Sequence, residues 1–342
     1  MTLTLKPIDE QAIVVVGASS GIGLVTAKLA ARRGASVVLA ARNGHDLRWA
    51  VREIRRQGGR AIDVVADVSD PDQIEHVADV AVAEFGRIDT WVNNAAVSIY
   101  GRVMDVDLAD ARRQFDVNFW GTVHGSRVAV PYLWKQGGAL INVASVLADR
   151  AIPLQGIYCA AKHAVKAFTD TLRMELEAEG APISVSLVKP GSTDTPFFQK
   201  ARTYLDAEPQ PVPPVHAPAV PARVILECAT RPVRDVTVGA AGKLTAVLGT
   251  VAPRLSDYYM EKTLFDNQQT DVPLAPDRKD NLYTPVDDDG GERGRYQGHV
   301  MSHSLYTSAA LHPVRAALVL GAAGAAVLAA ARLTAGEPKA ST

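Results

Sequence analysis

Three residues in one eighteen-residue stretch, SVLADRAIPLQGIYCAAK, have the types and spacing for proton transfer: Ser145, Tyr158 and Lys162. Tyr158 and Lys162 stand four positions apart, just over one helical turn, so on a helix they share a face. An unperturbed phenol has a pKa of about 10 and is a poor acid or base near neutrality. A fixed cation beside it favours the phenolate and makes the group usable for proton transfer. The same spacing also fits an ordinary helix with a core tyrosine and a solvated lysine. The rest of the chain must decide between the two.

The elements that would position these residues alternate in period. Short apolar runs at 12–16, 36–40, 61–66, 88–92, 139–143, 183–188 and 234–238 read as strands. Between them, helical spacing runs over 21–33, 46–57, about 70–85, 105–118, 121–136 and 156–179. Asp70-Pro71 is a helix start, proline being pre-set for the first turn. This alternation predicts an α/β fold with a doubly wound, mostly parallel seven-stranded Rossmann-type sheet, helices on both faces, and a C-terminal extension. The sheet domain is expected over residues 8–250.

The first strand-to-helix turn reads Val16-Gly17-Ala18-Ser19-Ser20-Gly21-Ile22-Gly23. Gly17 permits a tight turn, while Gly21 and Gly23 let backbone approach a pyrophosphate at a helix N-terminus. Its place in the first unit of a repeated βα pattern favours dinucleotide binding by Gly17, Ser19, Ser20, Gly21, Ile22 and Gly23. The second strand ends at Ala41 and Arg42, with no carboxylate for a ribose 2′-hydroxyl. Arginine there can pair with a 2′-phosphate, so NADP(H) is the expected cofactor, NAD the alternative. Asp67-Val68, after the third strand, would place a carboxylate near the adenine amino group. Asn93-Asn94-Ala95-Ala96 after the fourth strand reads as a polar turn beside the cofactor, with Asn94 and Ala95 in contact with it, or equally as an ordinary asparagine turn.

Taken together, Gly17-x-x-x-Gly21-x-Gly23, Asn93-Asn94-Ala95, Asn118, Ser145, Tyr158-x-x-x-Lys162 and Pro190-Gly191 resemble the short-chain dehydrogenase/reductase family, in order and spacing from about residue 10 to 196. Val16 and Ala96 depart from the threonine and glycine frequent at those places. The resemblance implies an enzyme moving hydride between NADP(H) and a carbonyl or alcohol. Tyr158 would be the acid/base, and Lys162 would lower its pKa and reach the nicotinamide ribose. Ser145 would bond the substrate oxygen. Asn118 would hold a water linking Lys162 to solvent, and Thr195, after Pro190-Gly191, would touch the carboxamide or a phosphate. A homo-oligomer built through helices near 105–135 and 156–179 is likewise implied. A non-catalytic dinucleotide sensor or scaffold, or an epimerase or dehydratase, would share the fold. A sensor has no reason to keep the Ser145, Tyr158 and Lys162 set.

Pocket candidates are Val97 to Tyr100, Val146, Leu147, Ile152, Gln155 and a proline-rich lid over 192–221. Most are apolar, which predicts a hydrophobic small-molecule substrate. Residues 251–300 read as an extended or mobile C-terminal arm and 301–342 as a tail. Its apolar run 316–331 spans about 24 Å as a helix, short of a bilayer core of about 30 Å. A membrane anchor, a helix packed on protein and a frayed end all fit it.

Of 342 residues, 47% are apolar and 21% charged, enough for a large core. A net charge of −1 gives no electrostatic case for nucleic acid or an anionic surface. Cys159 and Cys228 make neither a disulfide framework nor a metal-like spacing, so no metal is expected. The N-terminus lacks a signal-peptide apolar core, which makes a cytoplasmic protein the expectation.

Overall fold

The computed structural model describes residues 3–286, 290–314, 316–318 and 321. At its centre is a sheet of β1 (Ala12–Val16), β2 (Ser36–Ala41), β3 (Arg60–Val65), β4 (Thr90–Asn93), β5 (Gly138–Val143), β6 (Ile183–Pro190) and β7 (Asp235–Val238). The spatial order is β7-β6-β5-β4-β1-β2-β3 and each pairing is parallel. Strand order reverses between β1 and β4, and a crevice opens at the carboxyl ends of the strands there.

The strands are apolar at consecutive positions because helices cover both faces. Ile13, Val15, Val37 and Leu39 point to one side, against α1 (Gly21–Arg32), α2 (Gly44–Arg56) and α7 (Ala219–Thr230). Val14, Val16, Val38 and Ala40 point to the other, against α3 (Pro71–Phe85), α5 (Gly121–Gln136) and α6 (Gly156–Ala178). Local signals set the ends. The Asp70 carboxylate caps α3 by accepting from the amides of Asp72 and Gln73, and Gly86 closes it at φ +72°.

Three regions depart from expectation. The helices expected at 105–118 and 121–136 are α4 (Leu108–Phe115) and α5, joined without a break by a π turn over Asp116–Trp120. The lid contains short strands at 202–203, 207–209 and 215–216, and α7 begins inside its expected end. The helices α8 (Ala240–Val251) and α9 (Pro253–Asn267) follow β7 and straddle the expected boundary at residue 250.

The following arm is extended but tied down. Residues 269–273 pair antiparallel with 207–209, and 300–301 pair with 215–216 ahead of α10 (Leu305–Leu311). Leu282 is fully buried in the core cluster on the α3, α5 and α6 side of the sheet, and its carbonyl accepts from Arg42 and Arg113. The arm's polar composition hid this, because backbone pairing and one apolar plug hold it. The 316–331 run lies almost wholly outside the described residues. Among the described residues no helix is long and apolar enough to cross a membrane.

Candidate functional site

At the end of β1 the chain turns through Gly17, at φ +86°, where a Cβ would come within 2.6 Å of Ala95 backbone. Gly21 sits at φ +55°, again a conformation that favours glycine. A Cβ on Gly23 would fall 2.1 Å from the Gly17 carbonyl oxygen, so Gly23 lets α1 close onto the turn. Gly23 packs behind the residues that line the cleft. The Asn94 amide donates to the Gly17 carbonyl at 2.9 Å and fixes the turn. No side chain caps α1 at Ser20. A helix N-terminus with no side-chain cap behind a glycine cradle fits a pyrophosphate.

A cavity of about 880 Å³ runs from this turn in both directions. Toward one end it meets Ser19, Ser20, Ile22, Arg42, Asp67 and Val68; toward the other, Ala95, Ser145, Tyr158, Lys162, Pro190, Gly191 and Thr195. Ser145 follows β5, and its Oγ accepts from the Leu147 amide at 3.1 Å. Tyr158 and Lys162 lie on the first turns of α6, 8% and 1% exposed. The Lys162 ammonium donates to the Val143 carbonyl at 3.0 Å and stands 5.7 Å from the Tyr158 ring centroid.

The electrostatics run against the expected tuning. Burial pushes the Tyr158 phenol above its ordinary value, with the neighbouring Ser145 hydroxyl acting in the opposite sense. Burial also lowers Lys162 to about 8. In this cavity desolvation, which favours neutral forms, outweighs the Ser145 hydrogen bond on the tyrosine.

Asn118 holds a wall residue in place. It is fully buried in the π turn and does not line the cavity. Its Oδ1 accepts from the Val97 amide at 2.8 Å and its Nδ2 donates to the Val97 carbonyl at 2.9 Å. Both ends of the side chain thus hold Val97, which does line the cavity. A π turn at such a place shifts the helix face by one residue, which no hydrophobic periodicity announces.

At the far end, Asp67 lines the cavity and is held in place by its neighbours. Its carboxylate accepts from the amide and hydroxyl of Ser69 and from Arg113, 2.5 Å away. Burial works to raise its pKa, but these bonds bring the carboxyl below its usual range. Arg42 lines the cavity and donates to three carbonyls of the arm, those of Asn281, Leu282 and Tyr283. Main-chain oxygens of the arm thus hold the guanidinium at the cavity edge.

Of the pocket candidates, Val97, Tyr100, Val146, Leu147, Ile152 and Gln155 line the cavity, while Ser98 and Ile99 are buried away from it. Sequence reasoning missed Lys200, 6% exposed, whose ammonium donates to the Ser20 hydroxyl at 3.0 Å beside the glycine turn. Being one of two cations in the proline-rich lid, with Arg202, gave it no local signal of its own. It also missed His216, 3% exposed, whose Nδ1 has no hydrogen-bond partner among the described residues and whose pKa burial lowers. The apolar wall opposite Tyr158 comes from α8 and α9 through Leu244, Leu248, Leu255, Met260 and Leu264. Among the described residues no group of three or more His, Cys, Asp or Glu could hold a metal ion.

Comparison with known proteins agrees with this arrangement. Residues 11–206 match the family model described as short chain dehydrogenase. The uncharacterized oxidoreductase YxnA of Bacillus subtilis is 44% identical over 325 residues, covering 93% of this chain and 90% of that protein. The 11-beta-hydroxysteroid dehydrogenase A of Sesamum indicum is 34% identical, over 71% of this chain and 72% of its own. A short chain dehydrogenase/reductase from Burkholderia phymatum, solved with NAD, superposes with TM-score 0.67 at 27% identity, covering 79% of this chain and all of that one. An alcohol dehydrogenase of Thermococcus sibiricus, complexed with 5-hydroxy-NADP, shares the fold with TM-score 0.59 at 24% identity, over 66% of this chain and 95% of that one.

Proposed function

This chain belongs to the short-chain dehydrogenase family of oxidoreductases, and from that premise we propose that it interconverts an apolar ketone or aldehyde and its alcohol with NADP(H). One observation carries the reading: Ser145, Tyr158 and Lys162 converge on the cavity whose other wall is the glycine turn.

When bound, the nicotinamide supplies or accepts the hydride. The protein's part is orientation and the proton. Since the Ser145 Oγ already accepts from the Leu147 amide, its own O–H is left to donate to the substrate oxygen. In reduction the Tyr158 hydroxyl gives its proton to that oxygen as the C–H bond forms; in oxidation it takes the proton back. Lys162, with a pKa near 8, carries its proton at neutral pH and places a positive charge near the ring. That charge lowers the cost of a transient phenolate. Lys200 and the α1 N-terminus would hold the pyrophosphate, and Arg42 a 2′-phosphate. NADP(H) rather than NAD(H) rests on Arg42 and on Ala41 standing where a carboxylate would favour NAD.

The apolar wall of α8 and α9, with Leu244, Val251 and Leu255 also exposed at its rim, favours a hydrophobic substrate. The hydroxysteroid named for the sesame relative is in keeping with that class. Assembly into a homo-oligomer is favoured by exposed Leu108, Trp120 and Met174 on the segment from α4 to α6, and native mass measurement would check it. The central test is a panel of ketones and alcohols followed by NADPH and NADH absorbance. Turnover of apolar members, absent in Tyr158→Phe, is the expected result; turnover of small charged acids alone would refute the substrate class.

A further inference from the structure

The arm lies on the atoms that a dinucleotide's phosphates would need. The amide of Gly21, a donor at the start of α1, donates to the Gly291 carbonyl at 3.0 Å. The Arg42 guanidinium donates to the carbonyl oxygens of Asn281, of Tyr283 at 3.1 Å and of Leu282 at 3.3 Å. Between these points the Asn43 amide group donates to the Val286 carbonyl at 2.9 Å. Ion pairs clamp the strand on the glycine-turn side: Lys28 with Glu292 at 2.8 Å, and Arg293 with Asp194 at 2.9 Å.

We infer that the arm's carbonyl oxygens at Asn281–Tyr283 and Gly291 are built-in occupants of the cofactor's 2′-phosphate and pyrophosphate subsites, which the nucleotide must displace to bind. This rests on the cofactor reading above. A single N–H cannot serve Gly291 and a phosphate oxygen at full strength, because the two acceptors would crowd and repel. Phosphate is the stronger acceptor, charge-assisted where a carbonyl is neutral, so exchange is feasible. Its apparent affinity then falls by the fraction of molecules whose arm is released. The two contacts are separable by ligand. NAD needs only the Gly21 amide, whereas NADP also needs Arg42. The arm is thus a determinant of cofactor choice, encoded about 240 residues after the arginine it covers.

Arg278 anchors this strand from outside the cleft, through Glu208 at 2.9 Å and the carbonyls of Ala201 at 2.7 Å and Gln199 at 2.9 Å. The test is hydrogen–deuterium exchange by mass spectrometry on the full chain with NADP+ and with NAD+, binding being verified by calorimetry. NADP+ should raise exchange in peptides covering 277–286 and 290–296, and NAD+ in the second only. Arg278→Ala should tighten NADP+ binding by about three- to tenfold by increasing the released fraction. Protection that rises instead, as for a clasp closing over the nucleotide, would overturn the inference, as would unchanged exchange with nucleotide bound. Absence of binding heat for both nucleotides, in wild type and variant, would sink the cofactor reading itself and the inference with it, a failure the calorimetry tells apart from the others.

Discussion

The two ends of the cavity are built by different rules. At the reaction end, Ser145, Tyr158 and Lys162 come from one stretch, on the end of β5 and the start of α6, and the spacing of the chain brings them together. At the adenosine end, Arg42, Asp67 and the glycine turn are closed by partners far along the chain: Arg113 on Asp67, and Asn281 to Gly291 on Arg42 and Gly21. A site written in helical spacing is the same in any fold that keeps the helix. A site completed by distant carbonyls exists only in the finished fold and can be opened without unfolding it.

The sharpest break of this comparison is chemical. Tyr158→Phe keeps the ring and removes the proton, and should lower kcat by roughly a thousandfold, within the range of general acid–base catalysis. Nucleotide affinity, set at the other end, should stay within about threefold on the same physical basis, since the phenol contributes no phosphate donor. Steady-state rates with calorimetric titration check both. Retained turnover would remove Tyr158 from the chemistry.

Next in size is a stability effect at the reaction end. Lys162 has a folded pKa of about 8, below the ordinary lysine value of about 10.4. Between those values the unfolded chain binds more protons than the folded one, so stability rises with pH across that window. Below it the buried charge costs the nucleotide-free protein about 3 kcal/mol at full burial. Lys162→Met should therefore raise Tm at pH 7, with the gain shrinking as pH approaches 10. A lower Tm at pH 7 would show that the bond to the Val143 carbonyl, not burial, dominates that lysine.

The adenosine end gives the third test. Arg42→Ala should weaken NADPH binding by roughly ten- to a hundredfold, the worth of a charge-assisted bond, with NADH little changed. Equal effects on both nucleotides would mean that Arg42 serves the fold through the arm rather than the 2′-phosphate.

What could be read from the sequence follows the same division. The seven strands, their helices and the positions of Ser145, Tyr158 and Lys162 were legible because each is a local pattern: consecutive apolar runs, Asp70-Pro71, a four-residue offset. The arm was not. Its polar residues bond through backbone oxygens, which carry no side-chain signature, and Leu282 alone marks the plug. Asp67 was legible as a carboxylate at a strand end but not as the partner of Arg113, since that pairing joins positions 46 residues apart and depends on where α4 lies. The apolar wall from α8 and α9 was visible as helices, though nothing local said which cavity they would face.

Asn118 falls between the two classes, since its position was legible and its work was not. The resemblance places it on a water chain to Lys162; the geometry spends both ends of its amide on the Val97 backbone. Asn118→Ala leaves the buried Val97 amide without its acceptor, a loss of about 1–3 kcal/mol before relaxation, and the Val97 carbonyl with only the longer bond from Gln114 at 3.3 Å. If positioning is its role, the urea midpoint should drop and KM for the apolar substrate should rise as Val97 shifts, while the pH midpoint of kcat stays where it was. A proton path through Asn118 predicts the reverse, a moved pH midpoint with little change in KM. The two outcomes separate because a residue that sets the shape of a wall acts on binding, whereas one that carries protons to Lys162 acts on the titration of the pair it feeds.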